Sequence, residues 1–259
     1  MLDLVSSLIL VAMVCTVGVI YAVAALARSR MRTTRLEGHG GVLLGRGVME
    51  AAYAMMRPLV WLLLTLRVTP NMVTGFSLVP ALASAVAVGM GHFGFGALLA
   101  TVSAFCDMLD GILARELKSG SEAGELFDAA VDRYVEFFLL AGLVVYFRST
   151  PVIQIVALAA LIGSFMVSYA TAKAEALDVP PPKGAMRRAE RAVYLLAGCT
   201  LVPLAALVLS PARPGALVPL GPEITVEAAM LIVAAVTNVS SVRRLRRIAE
   251  AVRTRNQAA

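Results

Sequence analysis

The strongest constraint in this sequence is a series of seven apolar runs, each about as long as a bilayer-spanning helix. They cover residues 4–27, 72–90, 93–113, 126–147, 152–176, 191–209 and 224–242. Since a spanning helix needs about 20 apolar residues, a chain of 259 residues with these runs has no room for a large soluble domain. Hydrophobic residues make up 59% of the chain and charged residues 15%, and the mean hydropathy is +0.82. We therefore predict an all-α integral membrane protein.

The segment between the first and second runs differs in composition. Arginines follow the first run, glycines interrupt residues 38–47, and residues 48–66 mix apolar and charged side chains, which is typical of an interfacial amphipathic helix. The sequence predicts four segments. These are an N-terminal transmembrane anchor with a basic linker (1–45), an interfacial helix (46–68), a six-helix membrane domain (69–247) and a basic tail (248–259).

The distribution of lysine and arginine predicts the topology. If the loops alternate between the two sides of the membrane, only Arg148 and Arg213 of the 23 basic residues fall in the outer loops. The positive-inside rule then puts the N-terminus outside and the C-terminus in the cytoplasm, as expected for a multi-pass protein of the cell membrane. Topology accounts for the net charge of +6, so the charge does not indicate a nucleic-acid partner.

Four aspartates interrupt the apolar pattern at the predicted cytoplasmic face. Each carboxylate at membrane depth costs about 2.5–3.5 kcal/mol, so a functionless set of four is improbable. Helical spacing puts Asp107 and Asp110 on one helix face, and Asp128 and Asp132 on a face of the next helix. Because a short loop joins the two helices, we expect them to be antiparallel neighbours whose acidic faces meet.

Carboxylates this close repel one another unless divalent cations lie between them. Oxygen ligands without histidine or cysteine select Mg²⁺ or Mn²⁺, and two such ions about 3.5–4 Å apart would form a clamp for displacement at phosphorus. The small residues Gly111, Ala114 and Gly124 leave space beside the carboxylates, and Arg115 offers a cation for phosphate oxygens. The alternative from a different class is a transporter or scaffold whose acidic cluster is an ion site.

The spacing of these residues resembles the signature of the CDP-alcohol phosphotransferases. The matching pattern is Asp107-x2-Asp110-Gly111-x2-Ala114-Arg115-x8-Gly124-x3-Asp128-x3-Asp132. The resemblance implies a six-helix membrane core, here with an interfacial helix and one additional N-terminal transmembrane helix, and it implies a homodimer. It also implies an enzyme that releases CMP from a CDP-linked donor as it moves the phosphoalcohol to an acceptor hydroxyl.

The same resemblance implies roles for single residues. Asp107, Asp110 and Asp128 would bind the metal ions, and Asp132 would be the catalytic base, also near metal. The nucleotide and donor would contact both helices of the motif and the start of the first core helix, through Asn71, Thr74, Gly111, Ala114, Arg115 and Gly124. A lipid donor such as CDP-diacylglycerol fits best, because nothing in the chain indicates a soluble acceptor domain.

The acceptor is predicted from residues outside the motif. Segments around Ser168, Arg188 and Asn238 resemble the branch of the family that uses inositol 1-phosphate, the phosphatidylinositol-phosphate synthases. A phosphorylated polyol needs cations for its phosphate. The predicted acceptor-phosphate contacts are Lys173, Arg188, Arg191 and Arg244.

Two observations keep other acceptors open. Thr171 stands where that branch is expected to have a basic residue, and the additional N-terminal span is unusual for it. Glycerol 3-phosphate, which also presents a phosphate and a primary hydroxyl, would suit the same cations. Serine fits less well because an amino acid does not need so many cations.

Overall fold

The structure, a computed structural model, describes residues 1–30, 46–180, 184–209 and 221–258, and no strand occurs in these ranges. The described helices are α1 (Leu2–Arg30), α2 (Arg46–Thr65), α3 (Pro70–Gly89), α4 (Phe93–Leu117), α5 (Glu122–Tyr146), α6 (Pro151–Ala176), α7 (Arg188–Val208) and α8 (Ile224–Ala258), with a 3₁₀ turn at Phe147–Ser149. The all-helical prediction is confirmed. The predicted basic linker, 31–45, lies outside the described residues.

Six described helices are long and apolar enough to cross a membrane, namely α1, α3, α4, α6, α7 and α8. They make this chain a multi-pass membrane protein. Helix α5 has a similar length of 25 residues, but Asp132, Arg133 and Glu136 interrupt its apolar part, so its span stays a prediction. Within the part of α2 whose side chains the structure describes, Met56–Thr65 is a shorter apolar stretch, below the length of a membrane span.

Specific caps define the helix ends that surround the aspartates. Thr69 caps α3, where its side chain accepts a hydrogen bond from the Met72 N–H, and Pro70 follows in the first turn. Ser121 caps α5 by accepting a 3.1 Å hydrogen bond from the Gly124 N–H. Helix α4 ends at Leu117, because the next residue, Lys118, has a left-handed backbone (φ 50°) that stops the helix. The α4–α5 connection is therefore a short, well-capped turn.

Helix α3 packs along both α4 and α5, whereas α4 and α5 barely touch each other. Helices α4 and α5 follow one another across a short turn, as predicted, but each packs mainly on α3 and only slightly on the other. Close approach of α3 and α5 is possible because Gly142 lies against the backbone of Ala85, where a β-carbon would collide. The intervening helix leaves an open space between the ends of α4 and α5.

On the other side of the bundle, α6 packs along α8, α8 along α7, and α7 along α4. Gly163 of α6 allows this approach, since a β-carbon there would meet the side chains of Thr237 and Asn238. Asn238 donates a 2.8 Å hydrogen bond to the carbonyl of Ala159 on α6. Helix α8 continues without interruption to Ala258, and the predicted division at residue 248 stays a prediction.

The additional N-terminal helix is docked on the bundle, against α4 and α7. Asp3 of α1 accepts a 3.1 Å hydrogen bond from the backbone N–H of Phe95, and its other oxygen lies 2.8 Å from Nδ1 of His92. Gly94 makes room for this contact, because a β-carbon there would collide with the carbonyl of Asp3. The first turn of α1 thus caps the start of α4.

Candidate active site

Three of the four predicted aspartates converge at the ends of α4 and α5. One carboxylate oxygen from each of Asp107, Asp110 and Asp128 lies within 4.8 Å of the other two. The expected meeting of the two acidic faces therefore occurs across the space that α3 leaves open. Thr74 of α3 contributes to the cluster, since its hydroxyl donates a 2.5 Å hydrogen bond to Asp110 Oδ2.

The donor set fits a divalent cation. It consists of oxygen atoms from three carboxylates, the ligands that Mg²⁺ and Mn²⁺ prefer. Asp128 Oδ1 is buried and has no hydrogen-bond partner among the described residues, a costly state that a bound cation would relieve. Asp107, Asp110 and Asp128 are the residues that could hold a metal ion here.

The fourth aspartate has a different environment. Asp132 lies one turn further along α5, and its Oδ2 is 2.5 Å from Nη1 of Arg188. The same arginine nitrogen donates to both carboxylate oxygens of Asp107, at 3.2 and 3.3 Å. Arg188, predicted as an acceptor-phosphate contact, thus bridges the predicted base and one of the three clustered aspartates.

A cavity of about 400 Å³ opens between the ends of α3, α4 and α5. Five of the six residues predicted to contact the nucleotide line it, along with Asp110 and Asp128; they are Asn71, Thr74, Gly111, Ala114 and Gly124. Arg115 does not line the cavity, but its guanidinium lies next to Gly111. The cavity wall further includes the capping residues Thr69 and Ser121, which the motif does not contain.

The predicted acceptor contacts fall into distinct environments. Arg191 is buried, with 1% of its side chain exposed, and pairs with Glu136 through hydrogen bonds of 2.5 and 2.9 Å. Its Nη1 donates to the carbonyl of Met186 at 2.9 Å, so its guanidinium is engaged on two sides. Lys173 is exposed on α6.

Arg244 of α8 is buried beside α6. Its Nη1 donates a 3.1 Å hydrogen bond to the hydroxyl of Thr171, the position at which a basic residue was expected. Its Nε is buried without a partner among the described residues. An anionic ligand would supply the hydrogen-bond partner that Arg244 Nε lacks, whereas the guanidinium of Arg191 already pairs with protein groups.

Glu136, the partner of Arg191, is a residue near the site that the motif does not contain. A signal for it was present, because Gly124, Asp128, Asp132 and Glu136 follow one another at intervals of four and share one face of α5. The first three are predicted site residues, and the fourth continues the same stripe one turn further along α5. Its partner Arg191 lies 55 positions away, and no local pattern links the two.

The fold and the site together define an all-helical, multi-pass membrane protein with a metal-binding carboxylate cluster at one end of its bundle. The family model for CDP-alcohol phosphatidyltransferase matches residues 67–240. The chain belongs to this family, and it is a membrane-bound, divalent-metal-using transferase of phospholipid biosynthesis.

Relatives narrow the similarity further. The chain is 32% identical over 157 residues to the phosphatidylinositol phosphate synthase of Mycolicibacterium smegmatis, an alignment that covers 59% of this chain and 71% of the relative. It is 34% identical over 154 residues to that of Mycobacteroides abscessus, covering 58% of this chain and 70% of the relative.

Solved structures agree with the sequence relatives. The crystal structure of Mycobacterium tuberculosis phosphatidylinositol phosphate synthase with CDP-DAG bound is 26% identical and superposes with a TM-score of 0.65, covering 75% of this chain and 94% of that one. The same enzyme in complex with manganese and citrate gives a TM-score of 0.63 at 27% identity, covering 74% of this chain and 87% of that one.

Proposed function

We propose that this enzyme transfers the phosphatidyl group of CDP-diacylglycerol to a hydroxyl of inositol 1-phosphate and releases CMP. The observation that carries the proposal is the convergence of Asp107, Asp110 and Asp128 beside a cavity lined by the predicted nucleotide contacts. The similarity to phosphatidylinositol phosphate synthases, one of them solved with CDP-DAG bound, supports this donor and acceptor.

The proposed mechanism assigns a task to each group. Bound divalent ions, two in this proposal, would neutralise the diphosphate of the donor and make CMP a better leaving group. The cavity residues hold the cytidine diphosphate, and Asn71 and Gly124 lie next to each other in its wall. Asp132 takes the proton of the acceptor hydroxyl as its oxygen attacks the phosphorus that carries the lipid. The bond from this phosphorus to the CMP oxygen then breaks.

The acceptor phosphate would be held by Arg188, Arg244 and Lys173. The buried Nε of Arg244 supports this assignment, because an anionic ligand would supply the partner it lacks among the described residues. We propose that Arg191 supports the acceptor site by positioning the start of α7 and does not itself contact the acceptor phosphate. We further propose that this end of the bundle faces the cytoplasm of the cell, which the distribution of basic residues supports. The homodimer stays a prediction.

One observation favours a second acceptor. The Thr171 hydroxyl, where a cation was expected, accepts a hydrogen bond from Arg244, so the site has one cation fewer than the resemblance implies. A smaller phosphorylated polyol such as glycerol 3-phosphate would need fewer contacts.

The test is CMP release from CDP-diacylglycerol by the purified protein in Mg²⁺ or Mn²⁺. Inositol 1-phosphate, free inositol, glycerol 3-phosphate and serine are compared as acceptors. We expect release that depends on inositol 1-phosphate and is absent with free inositol, because the cations recognise the phosphate. Dependence on glycerol 3-phosphate would replace the acceptor and keep the aspartates. No release with any acceptor would contradict the proposed reaction.

A further inference from the structure

The side chain of Arg188 contacts both the three-aspartate cluster and the proposed base, Asp132. Arg188 Nη1 contacts Asp132 Oδ2 at 2.5 Å and both oxygens of Asp107 at 3.2 and 3.3 Å. The cation proposed for the acceptor phosphate therefore lies directly against the oxygen proposed to take the proton. The arrangement gives Arg188 two competing partners, the carboxylates and an incoming phosphate.

The position of Arg188 is fixed by its surroundings. It is the first residue of α7, and the preceding N–H, that of Arg187, is capped by Glu190 at 3.1 Å. One turn further, Arg191 ties α7 to Glu136 of α5. The Arg191–Glu136 pair therefore links the start of α7 to α5, and the Arg188 side chain, 35% exposed, extends from this position to the aspartates.

We propose that Arg188 is a positioning residue that keeps the base engaged until the acceptor arrives, an inference that rests on the proposed function. Without acceptor its guanidinium pairs with Asp132 and Asp107. The phosphate of the acceptor, a dianion, competes for the guanidinium and draws it away from Asp132. The base is then released only when a phosphorylated acceptor is present.

The reaction that this arrangement prevents is hydrolysis of the donor. In it, a water oxygen attacks the phosphorus that carries the lipid, the bond to the CMP oxygen breaks, and a water proton passes to Asp132. The products are phosphatidic acid and CMP. With the proposed ions bound, the site would offer every group that this reaction needs, so a transferase must suppress it by keeping water from being activated.

The deciding measurement is CMP release at saturating CDP-diacylglycerol and saturating Mn²⁺ with no acceptor present. We expect Arg188→Gln to raise this acceptor-free release about tenfold or more, because the general base becomes free to act on water. Saturating Mn²⁺ removes any contribution from altered metal affinity. Loss of acceptor binding alone would leave acceptor-free release unchanged, so a purely phosphate-binding role gives a different result.

Arg187→Gln is the matched control, since it removes the same charge from the adjacent exposed position. We expect its acceptor-free release to equal that of the wild type. Binding of Mn²⁺, followed by electron paramagnetic resonance, reports whether the three-aspartate cluster is intact in each variant. Acceptor-free release that is unchanged or lower in Arg188→Gln, with Mn²⁺ still bound, overturns the proposal.

If Arg188→Gln does not fold, acceptor-free CMP release by Arg188→Lys tests the proposal instead. Lysine keeps the charge but cannot bridge two carboxylates as a planar guanidinium does, so we expect acceptor-free release between that of the wild type and tenfold above it. Release equal to the wild type in this variant also overturns the proposal. Failure of the proposed function is a separate result, seen as no acceptor-dependent CMP release by the wild type.

Discussion

The polar groups at the two ends of helix α4 are satisfied to different degrees. At its beginning, which we call the cap end, Asp3 of α1 satisfies the Phe95 N–H and pairs with His92. At the other end, the carboxylate end, three aspartates from α4 and α5 crowd together, and one buried oxygen of Asp128 has no partner among the described residues. The cap end uses polar groups to hold helices in place, whereas the carboxylate end keeps polar groups in an unfavourable state that a bound cation would relieve.

The largest effect that separates the two ends is expected from Asp132→Asn. Asparagine keeps the size of the side chain but cannot take the acceptor proton, so we expect turnover to fall about 10²–10⁴-fold. Binding of CMP, measured by calorimetry, should persist because the cavity does not include Asp132. Normal turnover in this variant would remove the proposed base.

At the carboxylate end, Asp128→Asn should lower activity without lowering the stability of the fold. Loss of a metal ligand removes several kcal/mol of charge stabilisation in the transition state, which corresponds to a decrease in rate on the order of 10³-fold. The melting temperature in EDTA should not fall, since one of three repelling charges is gone. Added Mn²⁺ should raise the melting temperature of the wild type but not that of the variant.

Glu125→Gln is the matched control for Asp128→Asn. Glu125 lines the same cavity one turn earlier but is exposed and lies outside the three-aspartate cluster. Because Glu125 lies outside the cluster, we expect its response to Mn²⁺ to stay close to that of the wild type and its turnover at saturating donor to fall far less than that of Asp128→Asn. A loss as large as that of Asp128→Asn would mean that acidity of the cavity, rather than this cluster, governs metal binding.

Arg191→Ala should show that a charge near the site can be structural. Removing this arginine leaves Glu136 buried without its partner, which costs about 3–5 kcal/mol of folding free energy. The change is measured by thermal or denaturant unfolding in detergent. A second substitution, Glu136→Ala, should recover part of that loss, and a double variant no more stable than Arg191→Ala would contradict the ion-pair explanation.

The smallest effect is expected at the cap end, from Asp3→Ala. Loss of a helix cap typically costs about 1 kcal/mol, so the melting temperature should fall slightly. Turnover and KM at saturating metal should not change, because the carboxylate end lies at the far end of α4. A clear decrease in turnover at full folding would show that the two ends are coupled through the helix.

The sequence predicted the convergence of the aspartates better than the arrangement of the helices around them. Helical periodicity and the motif are local, so they correctly brought Asp107, Asp110 and Asp128 to one place. Whether α4 and α5 touch depends on how α3 fits between them, and loop length alone does not determine this. The pairing of Arg191 with Glu136 was missed for the same reason, since it joins distant parts of the chain.

The basic residues were hardest to assign. Lys173, Arg188, Arg191 and Arg244 all follow the positive-inside pattern, which does not distinguish a ligand contact from an ion pair. Burial and partners separate them in the structure, with Arg191 paired inside the bundle, Arg244 buried beside Thr171 and Lys173 exposed. A single sequence contains no signal for these differences.

Because α3 lies between α4 and α5, different helices are responsible for packing and for binding substrate. Helix α3 makes most of the packing contacts of both neighbours. The ends of α4 and α5 that face each other therefore contribute little to holding the helices together. Substitutions on those facing surfaces can change which substrate is held without loosening the helices. Substitutions on α3, even deep in the bundle, would alter the width of the gap and thus the fit of every substrate at once.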